Sequence, residues 1–107
     1  MYFIYMLRCV DNSIYTGITP DLKSRMEEHF SGGPKSSKYV RSRGAKKLEA
    51  YWETEEKSDA LKLEYRIKKN LTKAQKEEII NDADLLGVYL GKFLDRKKYR
   101  KGKGFPE

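Results

Sequence analysis

In 107 residues the sequence has one cysteine, one histidine, one tryptophan and three prolines, and its apolar runs are no longer than a short strand. Cys9 has no partner for an internal disulfide and reads as a small buried hydrophobe. A metal site built from Cys and His is excluded by counting, since such sites need three or four of them. Nothing approaches the ~20 apolar residues of a membrane span. The first residues lack the charged-then-apolar layout of a signal peptide. Together these absences point to the cytoplasm and away from a membrane. No glycine-rich loop has phosphate-cradling spacing, because Gly32-Gly33-Pro34 reads as a helix stop. A serine–histidine–acid triad around His29 lacks the glycine elbow that would present a serine.

What remains is a basic, aromatic chain of one domain's length, long enough to bury about two thirds of its unfolded surface. The net charge is +7, and it is unevenly spread. Residues 35–47 hold six basic side chains and no acidic one, among them Lys35, Lys38, Arg41 and Arg43. Residues 92–107 hold seven basic against two acidic. Such patches are the footprint of a polyanionic partner, or of a plainly solvated surface. The tail 95–107 reads as a flexible appendage to a domain spanning 1–94. Its removal is expected to weaken nucleic-acid binding without unfolding that domain.

Residues 2–10 are apolar on both parities, as in a strand covered on both faces. With the run 14–18 they form a β-hairpin. A two-residue loop at Asp11-Asn12 would throw Tyr5 and Tyr15 onto opposite faces, because side chains alternate with period two. A three-residue loop, Val10-Asp11-Asn12, sets Tyr5 opposite Gly17 and makes Tyr15 its diagonal neighbour. Asn12 then takes the left-handed position.

Thr19 and Pro20 are expected to open a helix over about 20–30, with Leu22, Met26 and Phe30 on its apolar stripe. Arg25 and His29 are an i, i+4 pair beside that stripe. A short helix is expected within 36–43. In a third strand over 47–53, Leu48, Ala50 and Trp52 are assigned to one face. Ser58 is expected to cap a helix over 59–70, whose apolar face is Ala60, Leu63, Ile67 and Leu71. Thr72 and Gln75 make a capping box for a helix to about Asn81. Residues 85–94 fit a strand or a short helix.

Tyrosine, arginine, histidine and a carboxylate are therefore the groups available for chemistry, and they suit phosphodiester cleavage. A carboxylate can hold a hard divalent cation. An arginine can stabilise added negative charge on a phosphate. A tyrosine hydroxyl can help deprotonate water. Each also has an ordinary structural role, as hairpin core or solvated helix face. Glu64 stands out because it lies inside the apolar stripe of its helix, where an unpaired carboxylate is unfavourable. An ion pair with Lys68 or Arg66 is the rival to a metal.

Phe3-Ile4-Tyr5 and Tyr15-Thr16-Gly17, with the tyrosines ten positions apart, followed by Arg25, His29 and Leu63-Glu64-Tyr65-Arg66, resemble the GIY-YIG nuclease family. The likeness spans about residues 2–80. It is greatest to small bacterial members related to the N-terminal nuclease domain of an excision-repair protein. The resemblance implies an α+β fold with a small three-stranded antiparallel sheet, an N-terminal hairpin plus a third strand, flanked by helices. It implies an endonuclease acting on DNA in repair or recombination, with a single Mg²⁺ or Mn²⁺ on Glu64. Arg25 would face the scissile phosphate, Tyr5 and Tyr15 would share the work of activating water with His29 as relay, and Gly17 would be structural. Phe3 and Thr16 depart from the signature residues. Where many relatives carry a late asparagine, this chain offers Asn70, Lys73 or Lys76, the two lysines being expected on nucleic acid. The alternative is a non-catalytic nucleic-acid-binding module on the same scaffold.

Overall fold

A computed structural model of the protein describes residues 1–102. Strand β1 (Tyr2–Cys9) is apolar on both faces because it is an interior strand, paired antiparallel with β2 (Ile14–Thr19) and β3 (Ala45–Thr54). The hairpin has the three-residue loop its sequence calls for: Tyr5 faces Gly17, and Asn12 is left-handed at φ 71°. Ile4 and Met6 point into one core with Ala60, Leu63 and Ile67 of α3 (Lys57–Asn70). Tyr5, Leu7 and Cys9 point into the other, with Leu22 and Met26 of α1 (Leu22–Ser31) and Val40 of α2 (Lys38–Arg43).

The sheet has four strands, not three, in the order β2-β1-β3-β4. The added strand, β4 (Arg100–Lys101), comes from the basic tail and pairs with Trp52 and Glu53, and Gly102 N donates to Tyr51 O at 2.8 Å. A 3₁₀ turn over Arg96–Lys98 precedes it. Leu94 and Tyr99 pack against the core, and polar anchors add to them. Tyr99 Oη donates to Asp59 O at 2.7 Å, Lys98 pairs with Asp59 at 3.7 Å, and Arg100 pairs with Glu55 at 3.6 Å. A run of cations therefore orders through partners elsewhere in the chain. The remaining tail residues, 103–107, lie outside the described residues.

Local details also differ from expectation. The cap of α1 is Asp21, whose carboxylate accepts from Ser24 N at 3.1 Å, while Thr19 ends β2 and accepts from Asp21 N. His29, not Phe30, completes the buried face of α1, and Phe30 is 47% exposed. Seven residues bring a helix almost back to its starting azimuth and eight overshoot it, so i+7 wins. Helix α3 begins two residues earlier than Ser58 would cap it, with Glu56 at the cap position and no side-chain bond there.

In β3 the register slips between the pairs Met6–Ala50 and Leu7–Leu48, a β-bulge at Glu49. The extra residue turns Leu48 toward the Tyr5 side, away from Ala50 and Trp52. Glu49 meets Arg8 at 2.9 Å, and Arg8 also forms an ion pair with Glu77 of α4 (Lys73–Asn81). Helix α4 carries the expected capping box, and 85–94 resolves as a short helix, α5 (Leu85–Leu90). Among the described residues no helix is long and apolar enough to cross a membrane.

Candidate active site

Because β1 is central, Tyr5 is 2% exposed, and its ring reaches out over β2. Gly17 makes the passage possible, since a Cβ there would lie 2.5 Å from Tyr5 Oη and 3.0 Å from the Tyr15 ring. Tyr15 is half-buried at the edge strand, its ring centroid 6.1 Å from that of Tyr5. His29 comes down from α1 to complete the cluster, 5.6 Å from the Tyr5 ring and 5.8 Å from the Tyr15 ring. Its Nε2 is 2.8 Å from Tyr5 Oη, and its Nδ1 is 2.8 Å from Ser36 Oγ. All three members of this chain are buried.

Burial, and then the nearby Arg25 guanidinium, push the His29 pKa down to about 4, so the imidazole is neutral at pH 7. One ring nitrogen then donates and the other accepts. Burial and then Tyr15 drive the Tyr5 hydroxyl well above its usual range, opposed by Arg25 and reinforced by Glu64. Arg25 and Glu64, on different helices, thus act on Tyr5 with opposite sign. Arg25 lies one turn before His29 and donates to Lys35 O at 3.0 Å. Glu64 reaches the β2 edge from α3, its side chain 20% exposed, and pairs with Lys68 at 3.4 Å. Lys68 Nζ in turn stands 5.6 Å from the Tyr15 ring centroid. Arg66 turns elsewhere, to Asn70 Oδ1 at 3.2 Å and over Phe93.

The basic residues divide. Lys35, Lys38 and Arg41 are exposed and have no carboxylate partner among the described residues. Arg43 is committed to Asp11 at 3.0 Å and to the face of Tyr39 at 3.8 Å. Of the three candidates for the late polar position, Asn70 is taken by Arg66, and Lys73 lies in the field of Glu77. Lys76 is half-buried, and burial and then the Lys68 charge depress its pKa.

Two contributors escape the sequence reading. Ser36 holds the far nitrogen of His29, and the Tyr39 ring stacks 5.6 Å from Tyr15. An aromatic inside a basic run was the one available signal for Tyr39. A cavity of about 530 Å³ lined by Trp52, Leu90 and Tyr99 lies on the other sheet face near β4 and takes no part in this cluster.

Among the described residues no three His, Cys, Asp or Glu side chains gather as a metal cage. A hard cation such as Mg²⁺ keeps several waters and binds through one or two carboxylates plus substrate phosphate. A single, partly exposed carboxylate whose counter-ion is a half-exposed lysine fits that mode.

Residues 1–78 match the GIY-YIG catalytic domain. The chain belongs to the GIY-YIG family. Nucleases of this family typically use divalent metal ions, and a nucleic acid is the implied substrate. The chain is 39% identical over 94 residues to a UPF0213 protein of Klebsiella pneumoniae subsp. pneumoniae, covering 88% of this chain and 86% of that one. It is 45% identical over 83 residues to a UPF0213 protein of Fusobacterium nucleatum subsp. nucleatum, covering 78% and 80%. The solution NMR structure of the UPF0213 protein BH0048 from Bacillus halodurans is 39% identical, with 76% of this chain and 84% of that one covered and a TM-score of 0.48. The matched segment thus contains every residue of this cluster, from Tyr5 to Lys76.

Proposed function

We propose that the protein is a divalent-metal-dependent endonuclease that hydrolyses phosphodiester bonds of DNA, in the cytoplasm and in the service of repair or recombination. The observation that carries this is the buried hydrogen-bonded chain Tyr5–His29–Ser36 with the Tyr15 ring beside it. A buried phenol with a raised pKa is a poor free base, so Tyr5 works as a relay. The attacking water bonds to phosphorus and gives its proton to Tyr5 Oη as Tyr5 passes its own to His29 Nε2. This relay uses the tautomer in which His29 Nδ1–H donates to Ser36 Oγ and Nε2 accepts from Tyr5 Oη. The bond to the leaving oxygen breaks, and solvent protonates that oxygen. Tyr15, half-exposed beside Tyr5, orients the water. Arg25 stabilises the charge added to the phosphoryl oxygens.

Glu64 would hold a single Mg²⁺ or Mn²⁺, which when bound supplies positive charge to the phosphate. Lys35, Lys38, Arg41 and Lys76 carry the flanking phosphates. Glu64 already has a cation in Lys68, which favours a second reading, a non-catalytic nucleic-acid-binding module.

Incubating the protein with labelled single-stranded, duplex and forked DNA, with Mg²⁺, Mn²⁺ or chelator, separates the two. Cleavage that requires the cation is expected, and Arg25→Ala should slow it by about 10²–10³. Lysine at that position should restore little, because it lacks the planar fork. DNA bound but never cut under any of these conditions would leave only the binding module.

A further inference from the structure

The solvent face of α3 carries a strip of rings and cations that begins next to Glu64 and leads away from it. Tyr65 is 50% exposed, and Lys69 Nζ donates to its hydroxyl at 2.7 Å. The Arg66 guanidinium lies 5.4 Å from the Tyr65 ring centroid and 4.0 Å from that of Phe93. Phe93, just past α5, is 37% exposed and has Lys92 at 5.1 Å. None of Arg66, Lys69 and Lys92 has a carboxylate partner among the described residues, and α3 shows no acidic side chain on this face. At 100° per residue, Glu64 and Lys68 occupy one flank of α3, Tyr65 and Lys69 its crest, and Arg66 the flank toward Phe93. The strip is therefore continuous with the proposed catalytic cluster through the Glu64–Lys68 pair and the Tyr15 ring beneath Lys68.

Two large rings left open to water in a very basic protein are otherwise an unfavourable exposure. Interleaved with unneutralised cations, they have the makeup of surfaces that hold unpaired nucleic acid, where bases stack on rings and cations track the backbone. We propose that Tyr65 and Phe93, with Arg66, Lys69 and Lys92, form a second binding surface that stacks two unpaired bases of a strand whose phosphate lies at the Tyr5–Glu64 cluster. This rests on the nuclease reading for the position of that phosphate, though not for the strip itself. Duplex DNA, with its bases already stacked on one another, presents nothing for the rings to hold.

The test is binding in chelator, where no cleavage intervenes, read by fluorescence anisotropy with three probes of equal length: a single-stranded oligonucleotide, an abasic phosphodiester strand and a duplex. The wild-type protein should bind the single strand at least tenfold tighter than the abasic strand. Tyr65→Ala and Phe93→Ala should each weaken single-strand binding by about tenfold, in keeping with the loss of one stacked base. Both should leave duplex binding within twofold. The leucine variants Tyr65→Leu and Phe93→Leu, which keep apolar bulk without a ring face, should fail in the same way. Arg66→Gln should flatten the salt dependence of single-strand binding by about 0.7 in log–log slope. Equal affinity for the single and abasic strands, or variants that lose duplex and single-strand binding alike, would overturn the proposal.

Cleavage by the wild-type protein, assayed in parallel with Mg²⁺, tells the two failures apart. Cleavage with unaltered binding by the ring variants removes the strip alone. Ring-dependent binding without cleavage removes the nuclease and leaves the strip.

Discussion

His29 is the only imidazole in the chain, and burial keeps it from taking a proton until about pH 4, against an ordinary 6.5. Between those values the unfolded chain binds a proton that the folded one refuses. The folded state is therefore destabilised as pH falls through this window, and stability returns as pH rises through it. The full penalty is on the order of 3 kcal/mol. His29→Gln removes it, so the stability of the variant should fall less than that of the wild type between pH 7 and pH 4.5, as urea titrations would show. Parallel curves for the two proteins would mean that His29 is not held neutral. Some of this cluster could be read directly from the residue order. Loop length and a period of two fix the faces of Tyr5 and Tyr15, and helical spacing links Arg25 to His29. Ser36 could not be read, because its place beside His29 depends on how the chain turns back between α1 and α2, and no periodicity records that.

Helix α3 presents Glu64 without a cage of other ligands, and its exposed i, i+4 pair with Lys68 is worth only about 0.3–0.5 kcal/mol. Glu64→Gln should consequently shift the melting temperature very little while abolishing cleavage. An active variant would end the assignment of the metal to Glu64. Helix α4 is tied down differently. The guanidinium of Arg8, 8% exposed, is shared between Glu49 of the bulge and Glu77, and the hydrogen bond from Arg8 holds the Glu77 carboxyl below its usual pKa. Glu77→Gln leaves Arg8 with one carboxylate and should cost about 1–3 kcal/mol in denaturant unfolding. Its contribution should be present above the unfolded carboxylate pKa and lost as pH falls through the lower folded one. An unchanged midpoint would show Glu49 suffices. Most helices could be placed from periodicity, and the Thr72–Gln75 box from its spacing. The bulge could not, because its purpose is to bring Glu49 to an arginine forty-one positions away.

The sheet as a whole depends on the basic tail more than its composition suggests. Trp52 pairs with Lys101, and Asp59 holds both Tyr99 and Lys98, so truncation after Leu94 removes a strand along with its anchors. The expectation that the tail can be deleted without cost to the domain gives way to a different one. Truncation after Leu94 should lower the melting temperature by several degrees relative to the full chain. Equal melting temperatures would show that β4 adds nothing to stability. The two cores, the hairpin and the α+β class follow from patterns within single elements. The fourth strand does not, because charge runs carry no record of their distant partners.

Strand order has a consequence for how the chain is made. β3 stands beside β1, and the part of its other edge at Trp52 and Glu53 has no strand partner until β4 arrives, Arg100 following Thr54 by 46 positions. At about 5–20 residues per second, translation leaves that edge open for roughly 2–9 s on every nascent chain. An open edge next to Trp52 is a template for pairing with a neighbouring polypeptide. Crowding of ribosomes on the message, which shortens the distance between such edges, should therefore decide how much of the protein reaches its soluble form.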